Sequence, residues 1–327
     1  MGKSEETRLI ESLATGRELI LDQLERVIVG QKEIIDLILT CMFSKGHCLL
    51  MGVPGLAKTK IIRTLADILD LSFSRIQFTP DLMPSDITGT EVVEEDQATG
   101  HRMFRFIRGP VFANMVLADE INRTPPKTQA ALLQAMQEHS VTAGNTTYGI
   151  GEPFFVLATQ NPIEQEGTYP LPEAQLDRFF FNLYIDYPSP EEESRIVKLT
   201  TFGKQHDVKK VLNCDDIMKL QDIVRNIPVS DEVIDYAVRL SVASRPGRGD
   251  EFIDSFVNWG AGPRASQYLI LGSKARAVLR GTTNVSKNDV SALAGPVLRH
   301  RIIQNFNAEA EGITAERIIS HLLDSVD

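Results

Sequence analysis

The octapeptide Gly52-Val53-Pro54-Gly55-Leu56-Ala57-Lys58-Thr59 lies between two apolar segments of different period. Before it, His47-Cys48-Leu49-Leu50-Met51 is a short strand candidate; after it, Lys60 to Leu71 carries Ile61, Ile62, Leu65, Ile68 and Leu69 on one side of a helix. Strand, glycine loop and helix in this order turn backbone N–H groups towards a phosphate, with a lysine and a hydroxyl directly behind them. The strict pattern has Gly where this chain has Ala57, and even Ala restricts φ, so the loop alone leaves the matter open. About sixty residues on, Val116-Leu117-Ala118-Asp119-Glu120 reads as a strand ending in two adjacent carboxylates. The two motifs together point to an ATPase. Gly52, Pro54, Gly55, Leu56, Ala57, Lys58, Thr59 and Lys60 would form the nucleotide loop. Thr59 and Asp119 would hold Mg²⁺, and Glu120 would activate the attacking water.

The rest of the chain reads as alternating α/β, then helix. Five near-continuous apolar runs, at 47–51, 73–78, 115–119, 154–159 and 179–185, look like strands buried on both faces of a parallel sheet, with helical patterns between them. Ahead of them, residues 7–27 and 32–43 read as helices. Thr124 and Pro125 are expected to start a helix as N-cap and first residue. Two segments, 90–107 around Ala98-Thr99-Gly100 and 141–150 around Gly144-Asn145, read as hairpins. After Tyr187-Pro188-Ser189-Pro190 the patterns are helical throughout. The expected division is an α/β core with an N-terminal helix over 1–188 and a smaller all-α domain over 189–327.

Composition narrows the function classes. With 327 residues and 43% hydrophobic content, two packed domains are within reach. Of the net charge of −10, residues 1–188 hold −9 (16 Lys/Arg against 25 Asp/Glu), which opposes nonspecific binding to nucleic acid. Cys41, Cys48 and Cys214 form no metal or disulfide pattern, and neither a membrane span nor an apolar leader is apparent, so a cytoplasmic protein is expected.

With these motifs in place the chain resembles the MoxR family of AAA+ ATPases over roughly residues 25 to 300. The most specific stretches are the 52–59 loop, Gln77 to Asp86, Asp119-Glu120-Ile121-Asn122-Arg123, Ala158-Thr159-Gln160-Asn161-Pro162 and Leu171 to Phe179. Ala57 is the residue this family's loop normally carries. The resemblance implies a P-loop NTPase core with a five-stranded parallel sheet in order 5-1-4-3-2, followed by an α-helical lid. It places Val29 and Gly30, with Ile28, beside the adenine, and makes Asn161 a sensor of the γ-phosphate or water. Arg178 becomes an arginine finger donated to a neighbouring subunit, and Arg264 a lid arginine that reaches the γ-phosphate. It implies ATP and Mg²⁺ as ligands, a ring homo-oligomer, expected to be a hexamer, and chaperone-like remodelling of protein clients, including a partner with a von Willebrand factor A domain. Each role has a plainer counterpart: core packing for Ile28, a turn for Asn161, an ion pair with Asp177 or Glu173 for Arg178. The rival reading is an AAA+ nucleic-acid motor using His101, Arg102, Phe104, Arg105, Phe106 and Arg108, which face the acidic arm Glu91, Glu94, Glu95 and Asp96; a metal-chelatase motor subunit is a further alternative.

Overall fold

The computed structural model describes residues 15–95, 102–163, 167–202 and 207–326. Two helices, α1 (15–25) and α2 (Lys32–Phe43), lead into β1 (Cys48–Met51) and α3 (Lys58–Ile68). β2 (Phe73–Gln77), a single turn α4 (Pro84–Thr88) and the arms β3 (Gly89–Glu95) and β4 (Arg102–Arg108) follow. Then come β5 (Met115–Asp119), α5 (Pro126–Glu138), β6 (Ser140–Ala143), β7 (Thr146–Gly149), β8 (Phe155–Gln160), the short α6 (Glu173–Leu176) and β9 (Phe181–Tyr184).

The five apolar runs form one parallel sheet in the order β2-β5-β8-β1-β9, which is the order the resemblance implied. Side chains alternate between its faces. Met115 and Leu117 of β5, Phe155 and Leu157 of β8, and Cys48 and Leu50 of β1 join one hydrophobic cluster. Val116 and Ala118, Val156 and Ala158, and Leu49 join the other, under α5. Covering both faces explains why the strands read as unbroken apolar runs. Both predicted hairpins are present as antiparallel pairs, β3 with β4 and β6 with β7. The 98–100 turn of the first lies outside the described residues.

Beyond β9 the chain is mainly helical: α7 (Pro190–Thr201), α8 (Cys214–Asn226), α9 (Asp231–Ala243), α10 (Glu251–Phe256), α11 (Pro263–Leu279), α12 (Lys287–Leu298), α13 (Phe306–Glu311) and α14 (Ala315–Ser325). The all-helical expectation needs one correction. β10 (Val257–Trp259) and β11 (Ile303–Gln304) pair antiparallel, runs too short to carry a periodic signal. Helix α5 also begins one residue later than expected: Pro126 is its first residue and Pro125 its cap, while Thr124 is buried and extended. The lid helices bury Leu240, Leu269, Val290, Leu293 and Leu322 in the same cluster as Ile38, Leu65 and Leu183, so α1, α2, one sheet face and the lid share a core.

Candidate functional site

Strand β1 ends at Met51, and Gly52 N–H bonds to the Gln160 carbonyl at the end of β8 (3.2 Å), so the loop springs from the carboxyl edge of the sheet. A Cβ on Gly52 would sit 2.1 Å from Ile185 Cγ2, which is why only glycine fits there. Gly55 turns with φ +90° into open space. Ala57 adopts φ 56°, ψ 21° as the cap of α3, a left-handed conformation that costs an alanine about 1 kcal/mol. Bending there aims the first N–H groups of α3, which have no carbonyl one turn earlier, at the loop's hollow. Lys58 Nζ crosses that hollow and donates to the Gly52 carbonyl at 2.5 Å. Half-burial lowers its pKa, against the pull of Asp119 and Glu120, both close enough to raise it. Thr59 is half-buried in the first turn, and Lys60 is exposed.

Asp119 and Glu120 end β5 beside the loop. Asp119 is buried; its Oδ1 accepts from Thr159 Oγ1 (2.6 Å) and its Oδ2 from Arg75 Nη2 (2.7 Å) and Nε (3.1 Å). Glu120 sits in a left-handed conformation (φ 59°), its N–H bonded to Thr159 Oγ1 (2.9 Å). Its Oε2 accepts from Gln77 Nε2 (3.0 Å) and meets Arg123 Nε (3.0 Å). A strained, non-glycine residue in such a bonded frame is typical of a position fixed for chemistry. Asn161, buried just beyond β8, accepts from Ile163 N–H through Oδ1 (3.1 Å). Among the described residues nothing accepts from its Nδ2. It thus makes the turn that the plain reading gave it and keeps a donor at the same sheet edge.

These residues suit Mg²⁺. A hydroxyl and one carboxylate, with no cage of three His, Cys, Asp or Glu side chains among the described residues, match an ion that keeps waters and leans on substrate phosphates. Beside the loop, a pocket of about 380 Å³ is lined by Val53, Pro162, Tyr184, Ile185 and Tyr187, within the size range of ligand sites. Gly30 and Gln31 lie against the segment beyond it: a Cβ on Gly30 (φ +73°) would meet Glu192 Oε1 at 2.3 Å, and Gln31 Nε2 reaches the Asp186 carbonyl, while Val29 beside them is buried. Ile28 is buried in the main core, as its plain reading held.

Arg178 and Arg264 are elsewhere. Arg178 precedes β9, and α11 starts at Pro263 close by. The two arginines line one groove of about 220 Å³ with Lys45, Gly46, His47 and Tyr268. Gly46 and His47 enter β1, so this groove opens at the amino edge of the sheet, a strand length of about 13 Å from the loop. Arg264 therefore does not lie at the loop of its own chain: α11 packs beneath the start of β1 and carries Arg264 to Arg178. Nor does Arg178 pair with Asp177 or Glu173. The Asp177 carboxylate is taken by Arg264 Nη1 and by Arg301 Nε (2.8 Å), and no described carboxylate pairs with Arg178. Sequence reasoning missed Arg75, Gln77, Thr159 and Arg301. Arg75, Gln77 and Thr159 stand within stretches singled out above, and Arg301 does not.

Residues 47–181 match the family described as "ATPase family associated with various cellular activities (AAA)", and residues 251–322 match the AAA lid domain. The Mycobacterium tuberculosis protein named Chaperone MoxR1 is 44% identical over 312 residues, 94% of this chain and 81% of that one. The Bacillus subtilis protein YeaC, uncharacterized, is 42% identical over 94% of this chain and 92% of its own length. Protein MoxR of Methylorubrum extorquens is 28% identical over 86% and 85%. A crystal structure of a candidate ATPase from Cytophaga hutchinsonii superposes with a TM-score of 0.92 at 41% identity, covering 99% of this chain and 98% of that one. Loop, paired carboxylates, sheet order and relatives agree: the chain belongs to the MoxR family of AAA+ ATPases.

Proposed function

We propose that this protein is a Mg²⁺-dependent ATPase that works as a ring, with a hexamer as the expected size. It remodels or activates partner protein complexes in the cytoplasm, a von Willebrand factor A domain protein being the expected kind of partner. Residues 1–188 act as the nucleotide core and 189–327 as the lid.

One observation carries the reading: the groups suited to ATP turnover are divided between the two edges of one sheet. Lys58, Asp119, Glu120 and Asn161 gather at the carboxyl edge of the sheet, while Arg178 and Arg264 converge at the amino edge in one groove. A site made of both sets needs a second copy. Lys58 holds the β- and γ-phosphates, and Val29 and Gly30 flank the base. Glu120 takes the proton of the attacking water, and Asn161 Nδ2 donates to that water or to the γ-phosphate. Arg178 and Arg264 of the adjoining copy stabilise the charge on the transferred group, an effect worth roughly 10³–10⁵ in rate where an arginine finger has been removed. Thr59 and Asp119 would hold Mg²⁺, which when bound would supply charge neutralisation at the phosphate oxygens.

The nucleic-acid reading is weakened by its own best residues. Arg102 pairs with Glu95 and Arg105 with Glu94 across the β3–β4 arms, which leaves little net positive charge there for a phosphate backbone. The deciding experiment is steady-state ATP hydrolysis over a range of protein concentrations, with and without single- and double-stranded DNA. A rate per subunit that climbs with concentration and ignores DNA supports the shared-site remodeller. A flat rate, or several-fold stimulation by DNA, overturns it.

A further inference from the structure

The lid residue Arg301 is the most completely bonded side chain around the 177–180 segment. It follows α12, and its side chain is 2% exposed. Nε donates to Asp177 Oδ1 at 2.8 Å, and Nη2 donates to the carbonyls of Asp177 (2.8 Å) and Phe179 (2.6 Å). Nη1 donates to the Val297 and Phe180 carbonyls. The guanidinium also lies over the Tyr268 ring of α11, 5.0 Å from its centroid. A buried cation is tolerated only when its donors are met and its charge is paired, and this one is matched on both counts. Its neighbours reinforce the grip: His300 Nε2 bonds to the Phe179 carbonyl (3.1 Å), and Arg299 Nη1 donates to the Asn182 carbonyl (3.2 Å). Strand β9 lies at the edge of the sheet, so 299–301 close off carbonyls that no further strand covers.

Asp177 is the hinge of this arrangement. One oxygen faces Arg301 and the other faces Arg264. With both engaged, the carboxylate next to Arg178 in the chain is not available to it. The guanidinium of Arg178 thereby stays uncommitted in the groove beside Arg264, among the described residues.

We infer that Arg301, acting through Asp177, is a positioning residue that holds Arg178 and Arg264 ready for the nucleotide of a neighbouring copy. The inference rests on the shared-site reading above. It separates Arg301 from residues that merely stabilise the lid, because it predicts the subunit in which the defect is felt. Loss of Arg301 spoils what a copy offers to its neighbour and leaves its own loop intact.

The test is subunit mixing. Arg301→Met, Asp177→Asn, Arg178→Ala and Glu120→Gln are each purified, and their thermal melting, ATP affinity and turnover are recorded. Arg301→Met is expected to bind ATP within about two-fold of the parent while turnover falls on the order of 10²-fold, because the arginine contribution is lost without the loop. Mixed with Glu120→Gln it should regain turnover, since one pairing joins an intact loop to intact arginines. Mixed with Arg178→Ala it should not, because both partners lack the same half. Parent-like turnover by Arg301→Met overturns the inference. So does failure of Glu120→Gln to rescue it when the same partner rescues Arg178→Ala. If Arg178→Ala itself is not rescued, the shared-site reading fails instead. Should Arg301→Met melt below the assay temperature, Asp177→Asn decides by the same pattern.

Discussion

Gln77 Nε2 donates to Glu120 Oε2 over 3.0 Å, tying the carboxylate proposed to activate water to the neighbouring edge strand β2. Arg123 meets the same oxygen from the other side. Glu120→Gln keeps an acceptor for Gln77 but cannot take a proton. ATP binding and melting temperature should therefore stay near the parent values while hydrolysis falls about 10²–10⁴-fold. Phosphate-release assays beside nucleotide-binding titrations check this; parent-like turnover would mean that another residue handles the water.

Lys58 spans the loop from the first turn of α3 to the Gly52 carbonyl. Lys58→Ala removes the only lysine in the hollow's wall at Gly52-to-Thr59. The expected outcome is loss of ATP binding, with affinity weakened at least about 10²-fold, as for a charge-assisted phosphate contact of roughly 3 kcal/mol. Tight binding by this variant would sink the loop assignment.

His47 is buried between the Met136 carbonyl and the Val156 N–H. Burial, reinforced by nearby His139 and opposed by the Met136 bond, pushes its pKa down to about 4. The folded value lies below the unfolded one, so the unfolded chain binds the extra proton. The stabilisation is complete above about pH 6.5 and is lost as pH falls towards 4. His300, buried against the Phe179 carbonyl, is lowered in the same sense. Between pH 7.5 and 5 His47 alone should cost about 2 kcal/mol. Melting temperatures across that range should fall, and fall less steeply in His47→Gln. Equal slopes in the two proteins would refute the assignment.

Phe106 joins the two hairpins, stacked on Tyr148 with centroids 4.2 Å apart and edge-on to Phe112 at 5.8 Å. Two positions away, Phe104 is 76% exposed. Phe106→Ala should cost about 1–3 kcal/mol of stability and Phe104→Ala within about 0.5 kcal/mol. Denaturant titration of the pair checks the contrast, and equal effects would contradict the packing described.

Much of this was legible in the chain because it is written locally. The 47–51 and 115–119 runs are apolar without interruption since both sheet faces are covered, and Gly52 to Thr59 must be contiguous to wrap one phosphate. What the chain did not disclose is joined at long range. Arg301 and Asp177 lie 124 positions apart, and Arg264 and Asp177 lie 87 apart. No period or spacing marks such pairs. The place of Arg264 beside Arg178 is hidden for the same reason: α11 packs closely at Gly272 against Phe180 and Leu293, contacts that the Gly262-Pro263-Arg264 signal does not encode. The short pair β10–β11 left no trace because three residues and two cannot alternate visibly.

Strand β9 is only four residues long, yet it has a different neighbour at each end. Arg178 stands before it, and Tyr184, Ile185 and Tyr187 at its far end line the pocket beside the loop. The pocket of one copy is thus joined to Arg178 of the same copy by about 13 Å of stiff backbone. A strand has a head and a tail, so this route is polar. In a head-to-tail assembly, each copy would hear from one side and speak to the other, giving turnover around the circle a built-in sense, clockwise or anticlockwise, before any client is engaged.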